Sequence, residues 1–247
     1  MYLSKVELGA SAARSDRFWA EVSRADGAHR ALWRLMSRSP EQRRDFLFRQ
    51  DHGARWPTFL VLSERPPVSD DDGLWKIGTK PFAPRLEEGQ RLGFLLTANP
   101  VVRRGAVEPT TGKRRVVRHD VVFDAARREP KTAEESRVTS RVVEAAGLRW
   151  LRDQADRSGF RLVEERAPEI GDDGMLLPGG QATTAVRIGG YRQVRVWRAG
   201  EKPMRFSTLD FEGVLEVADP ARFLDRVRKG FGPQKAFGCG LMLLRRA

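Results

Sequence analysis

The chain has 247 residues, enough for one large domain or two of about 100–150 residues. It carries 45 Lys and Arg against 33 Asp and Glu, a formal net charge of +12, and 40% of its residues are hydrophobic. That balance excludes both a wholly disordered chain and a membrane-embedded one. The apolar runs, such as Phe94-Leu95-Leu96, fall far short of the ~20 residues of a membrane-spanning helix. Met1 to Glu7 has no apolar signal core, and the single cysteine, Cys239, leaves no internal disulfide and no Cys-rich zinc site. The expectation is a cytoplasmic protein with no membrane role. A basic excess dominated by arginine points to a polyanionic partner, because each neutralised phosphate releases condensed counterions. The plainer alternative is a genome biased toward arginine.

Tyr2 to Leu8 alternates apolar and polar residues and reads as a strand. Phe18 to Met36 reads as helical, interrupted near Asp26-Gly27. Phe46-Leu47-Phe48 and Thr58 to Leu62 are short strands, and Arg65-Pro66-Pro67 breaks the chain before a further strand at Leu74 to Ile77. The pattern then restarts. Arg91 to Leu96 is a strand stopped by Asn99-Pro100, and a basic, turn-rich stretch follows to Asp120. The strongest helix covers Glu134 to Arg157, with Val138, Val142, Ala146 and Trp150 at spacing four and Gly159 as its stop. Phe160 to Val163 opens a strand and Gly171 to Gly180 is a loop. Ala185 to Ile188 and Val194 to Trp197 look like a hairpin across Gly189-Gly190. Leu209 to Val217 is a strand, Asp219-Pro220 opens a short helix to Arg228, and Leu241 to Leu244 closes the chain. Each half fits the βαββαβ order, so the fold class is α+β with two tandem ferredoxin-like domains, residues 1–85 and 86–247. The second carries a basic hairpin and a C-terminal Gly-rich loop.

That loop, Lys229-Gly230-Phe231-Gly232-Pro233-Gln234-Lys235-Ala236-Phe237-Gly238-Cys239-Gly240, is the most distinctive stretch. Its glycines permit a close backbone approach to phosphate, and its lysines supply charge. A dinucleotide-binding motif is excluded by the spacing and by the helix-to-strand order. The alternative is a flexible turn. Together with Met1-Tyr2-Leu3-Ser4-Lys5, His29 to Leu35, Arg44 to Arg49, Leu96 to Pro100 and Phe211 to Leu215, the loop resembles the CasE family along the whole chain. These are CRISPR repeat-processing endoribonucleases of type I-E systems. The resemblance implies two ferredoxin-like domains, cleavage of the repeat hairpin of precursor CRISPR RNA at its 3′ base, and retention of the product with the other Cascade subunits. The rival reading is a non-catalytic hairpin-binding subunit of the same fold. A second rival is an unrelated basic protein with a protein partner.

The three histidines are His29, His52 and His119, and none has zinc-like spacing. The acidic runs Asp70 to Asp72 and Asp172-Asp173 read as solvated loop charges. The expectation is therefore chemistry without a metal or other cofactor, using the RNA's own 2′-OH as nucleophile and an imidazole as acid or base. The resemblance places His29 at the family's catalytic position. Asp26 stands where the family often has a tyrosine, so that role does not transfer. It reads either as a helix N-cap or as a carboxylate orienting His29. Arg34 falls where a basic side chain of the family stabilises the phosphorane, yet five residues make about 500° of helix and take it off the His29 face.

For RNA binding, the basic stretch offers Arg103, Arg104, Lys113, Arg114, Arg115 and Arg118, with a solvated loop as the alternative. The long helix offers Arg149, Arg152 and Arg157, and i,i+3 spacing puts Arg149 and Arg152 on one face. The glycine loop adds Lys229, Gly230, Gly232, Lys235, Gly238 and Gly240. Trp33, Trp150 and Trp197 read as core rather than as base-stacking platforms.

Overall fold

The computed structural model describes residues 1–22, 27–37, 39, 42, 44–51, 56–68, 73–107, 114–128, 138–166, 169–170, 175–177, 182–197 and 202–247. In the first half, β1 (Tyr2–Leu8) is followed by α1 (Asp16–Val22) and α2 (Gly27–Met36). Then come β2 (Phe46–Asp51), β3 (Thr58–Ser63) and β4 (Trp75–Pro81). The four strands form one antiparallel sheet in the order β2-β3-β1-β4. This is the ferredoxin-like order. Among the described residues, no helix stands between β3 and β4.

The alternation of side chains along a strand explains how this sheet serves two cores. Phe46, Phe48, Phe59 and Val61 face the helices and pack with Leu32, Leu35, Met36 and Trp75. The intervening Leu47, Leu60 and Leu62 face the other way and pack with the second half of the chain.

The second half begins with β5 (Arg91–Ala98) and a basic antiparallel hairpin of β6 (Val101–Val107) and β7 (Arg114–Asp120). Helices α3 (Val121–Arg128) and α4 (Ser140–Ser158) follow. Sequence reading missed α3, because the residues before it are too basic and β-branched to suggest a helix start. The Asp120 carboxylate supplies the start, accepting from the Val122 and Phe123 N–H groups at 2.8 and 2.9 Å. The Thr139 hydroxyl caps α4, and Gly159 ends it in the left-handed region, φ +73°.

Next come β8 (Phe160–Leu162), β9 (Glu164–Arg166), β10 (Glu169–Ile170), β11 (Leu176–Leu177), β12 (Ala182–Thr184), β13 (Val186–Val196) and β14 (Met204–Val217). The chain ends with α5 (Pro220–Lys229) and β15 (Met242–Arg246). The main sheet runs β13-β14-β5-β15. Both β8 and β13 pair with β14, β8 near one end and β13 along the remainder. The second strand of the ferredoxin pattern is thus split, with residues 164–185 inserted between its parts. The Ala185 N–H donates to the Val163 carbonyl at 2.8 Å where the insertion returns.

The hairpin expected across Gly189-Gly190 does not form. Residues 186–196 are one strand carrying a register shift between Gly189 and Arg192. Glycines fit an irregularity inside a strand as well as a turn, and the long partner β14 decides between them.

Candidate nucleic-acid interface and cleavage site

The basic hairpin is anchored to α3 by ions. Arg104 on β6 donates to both carboxylate oxygens of Asp124, at 2.6 and 3.2 Å, and Arg128 approaches the same carboxylate at 3.5 Å. Hydrogen bonding from Arg104 holds the Asp124 carboxyl below its ordinary value. Below the hairpin lies a cleft of about 710 Å³. Arg103, Arg104, Arg118 and Arg128 line its hairpin and α3 side. Arg149, Asp153 and Arg157 enter from α4, spaced by four on one helical face. Arg226 of α5, Gly232 and Lys235 close the end. Among these residues eight cations face two carboxylates, and one of the two, Asp124, is already paired.

The positive charge continues toward the first half. Arg226 donates to Gln154 Oε1 at 2.6 Å and lies 5.0 Å from the Phe231 ring centre. Burial, and then neighbouring Arg157, pushes its guanidinium below the ordinary value. Burial, followed by Arg226 and Arg44, likewise lowers Lys235. Arg157, Arg226 and Lys235 therefore crowd one end of the cleft as like charges, and the charge of Arg44, in the segment that leads into β2, bears on Lys235. Crowded cations are costly on their own and suit a polyanion.

The glycine loop links this end of the cleft to His29. Gly230, Gly232, Gly238 and Gly240 all have positive φ. A Cβ at Gly230 would lie 2.8 Å from Leu47 Cδ1, one at Gly232 2.8 Å from the Asn99 carbonyl oxygen, and one at Gly240 2.6 Å from the Phe231 carbonyl oxygen. The N–H groups of Gly230 and Gly240 are spent inside the protein, on the Arg226 and Thr97 carbonyls. The expected phosphate nest is corrected at these two positions: Gly230 is glycine because the backbone folds against Leu47 of the first half, and Gly240 because it folds against the Phe231 backbone. A 3₁₀ turn, Lys235–Phe237, packs on both α2 and β2.

His29 is half-buried on α2. Its ring lies 6.0 Å from that of Phe46 and 6.3 Å from that of Phe48, inclined by 27° and 16°, with Trp33 at 6.0 Å. Phe48 in turn is the group that a Cβ on Gly238 would meet at 3.3 Å. An aromatic shelf thus holds the imidazole beside the glycine loop.

The remaining expectations divide. Arg103, Arg104, Arg118, Arg149, Arg157, Gly232 and Lys235 gather in one cleft. Arg152 does not share their face: it donates to Thr184 Oγ1 at 3.1 Å on the inserted segment. Arg115 lines a shallow hollow on the hairpin with Arg103 and Arg118, and Arg114 is exposed at the start of β7. Lys229 pairs with Asp225 at 2.8 Å, away from the cleft lining. Arg34 is exposed in the last turn of α2. Trp150 is core, stacked 5.4 Å from Phe211, and Trp33 is half-buried. Trp197 is 71% exposed, which overturns its core reading; it follows β13 where the strand leaves the sheet. Asp26, His52, Asp70 to Asp72, Lys113 and Asp172-Asp173 lie outside the described residues. Sequence reading missed Arg44, Arg128 and Arg226; the helical spacing of Arg226 and Lys229 was the one signal for the last. Among the described residues, no three His, Cys, Asp or Glu side chains stand together as metal ligands, and no helix is long and apolar enough to cross a membrane.

A family model described as CRISPR associated protein matches residues 1–246. The chain belongs to this family. It is 32% identical over 252 residues to the CRISPR-associated endoribonuclease Cse3 of Thermus thermophilus, covering 98% of each protein. It is 26% identical over 251 residues to the Cascade subunit CasE of Escherichia coli K12, covering 99% of this chain and 98% of that one. Among solved structures it resembles Cse3 bound to a 19-nucleotide RNA, with TM-score 0.64, 30% identity, and 99% and 100% of the two chains covered. Within the CRISPR-associated family, the resemblance read from the sequence holds over the full length, and so does the pair of ferredoxin-like domains.

Proposed function

We propose that this protein is a metal-independent endoribonuclease that binds the repeat hairpin of precursor CRISPR RNA and cuts once at its 3′ base. The observation that carries the reading is the cationic cleft, whose Lys235 opens the turn packed on α2 and β2, the elements that carry His29 and its aromatic shelf. Phosphates of an RNA stem fit the cleft, because side chains meet A-form RNA most readily through its backbone. The strand leaving the stem then passes Lys235 toward α2. There a neutral His29 takes the proton of the 2′-OH, whose oxygen attacks the adjacent phosphorus. The P–O5′ bond breaks, O5′ takes up a proton from water, and His29 returns its own proton to solvent. The products are a 2′,3′-cyclic phosphate and a 5′-OH. The similarity to Cse3 and to CasE supports this reading, and CasE's name as a Cascade subunit supports retention of the product among other Cascade subunits in the cytoplasm.

The test is incubation with a repeat hairpin RNA in EDTA. Cleavage is expected, and a 2′-deoxy substitution at the cut site blocks it. His29→Ala lowers the rate by at least ~100-fold, the usual scale for general acid–base catalysis, with binding nearly unchanged. A wild-type rate in His29→Ala would falsify the assignment of the base.

A further inference from the structure

We infer that Lys235 is a further catalytic residue, the cation that contacts the non-bridging oxygens of the scissile phosphate beside His29. This rests on the cleavage reading above and adds a second cation to the one that the resemblance implies at Arg34. Lys235 belongs to both parts of the site. It lines the cationic cleft together with Arg149 and Arg157, and its 3₁₀ turn packs on α2 and β2, the elements that carry His29 and its aromatic shelf.

The backbone around it is held in an unusual shape. Gln234 has φ +59° and ψ +32°, and among the described residues it is the one non-glycine at positive φ. A side chain in the left-handed region is strained, and such strain persists where the surroundings enforce it. Here Gly232 on one side and Gly238 on the other fix the loop against the Asn99 carbonyl and the Phe48 ring. The 3₁₀ turn between them starts at Lys235, which lines the cleft. Arg226 lines the same cleft, and the charges of Arg226 and Arg44 both bear on the ammonium. This crowding makes a passing phosphate the favourable occupant of the space in front of it.

In the reaction, the O2′–P bond forms as the P–O5′ bond breaks. One proton leaves O2′ for His29, and one arrives at O5′ from water. Negative charge builds on the two non-bridging oxygens at the midpoint of this exchange. An ammonium aimed at them stabilises the transition state more than the ground state, which raises the rate rather than the affinity.

The experiment is single-turnover cleavage of a repeat hairpin RNA at saturating protein, with Kd measured on the 2′-deoxy RNA. Lys235→Met is expected to lower the saturated rate constant by ~100-fold or more, the scale for loss of one preorganised donor, while Kd changes by less than about threefold. Lys235→Arg restores most of the rate. Thermal melting checks the fold, and Lys235→Gln replaces the methionine variant if that one does not fold. A wild-type saturated rate in either folded variant, or a loss confined to Kd, overturns the inference. No cleavage by the wild-type protein would instead overturn the function on which it rests.

Discussion

At the scale of the residue, the glycines of the chain carry different burdens that sequence alone does not separate. Gly240 has φ +95°, and an added Cβ would sit 2.6 Å from a backbone oxygen that has little room to move. Gly189, inside β13, would meet nothing within 4 Å. Gly240→Ala is therefore expected to destabilise the protein by at least ~1 kcal/mol, whereas Gly189→Ala stays within about 0.5 kcal/mol. Urea denaturation of both variants checks this, and equal midpoints would mean the loop relaxes freely. Other single residues illustrate the same limit. His29 stands out in the sequence because its neighbours match a family pattern, but the aromatic shelf beside it joins Phe46 and Phe48 from a distant strand. Cys239 read only as a count. It is buried, and its thiol is pushed up to about 12 by burial and by Asp210, so it is inert.

At the scale of the element, periodicity located most helices and strands, and failed where partners decide. The long helix was read correctly in type, yet its arginines sorted by tertiary contact. Arg149 and Arg157 turn to the cleft and Arg152 to Thr184. A 60° difference in angular position, roughly that between residues three apart on a helix, suffices when two different surfaces meet it. The basic stretch was legible as a hairpin. The helix behind it was not, since its start depends on one half-buried carboxylate, Asp120. Burial raises that carboxyl above its ordinary value, and the adjacent Tyr191 hydroxyl is pushed up to about 12 by burial and by Asp120. For RNA binding, the joint variant Arg149→Ala and Arg157→Ala is expected to flatten the dependence of log K on log salt. The slope falls by up to ~0.9 for each phosphate that goes without its cation, on the scale of a duplex site. Arg152→Ala leaves the slope unchanged. A filter-binding titration across salt concentrations distinguishes the two, and an unaltered slope in the joint variant would remove the cleft from the RNA path.

At the scale of the whole molecule, the repeated βαββαβ order was readable, but the way the halves join was not. The sequence Phe46-Leu47-Phe48 looks like one apolar run. In the structure its middle residue belongs to the core of the other half. The same holds for Leu62 against Phe59 and Val61. Leu47→Ala is expected to cost ~2–5 kcal/mol and to lower both halves together. Far-UV circular dichroism and tryptophan fluorescence, which reports Trp19, Trp33, Trp56 and Trp75 in one half and Trp150 and Trp197 in the other, then show one shared transition at lower urea. Separate transitions would mean that the two cores are energetically independent.

The split second strand of the larger sheet has a consequence for what this scaffold tolerates. Residues 164–185 leave the sheet at Val163 and return at Ala185, and those two residues are already joined by a hydrogen bond. The excursion departs and re-enters through the same doorway. Its length is therefore uncoupled from the register of β14, and closing a longer or shorter loop across a gap already spanned costs little. The doorway is a natural grafting port: a tag or reporter domain spliced there leaves the strand pairing on both sides as it is.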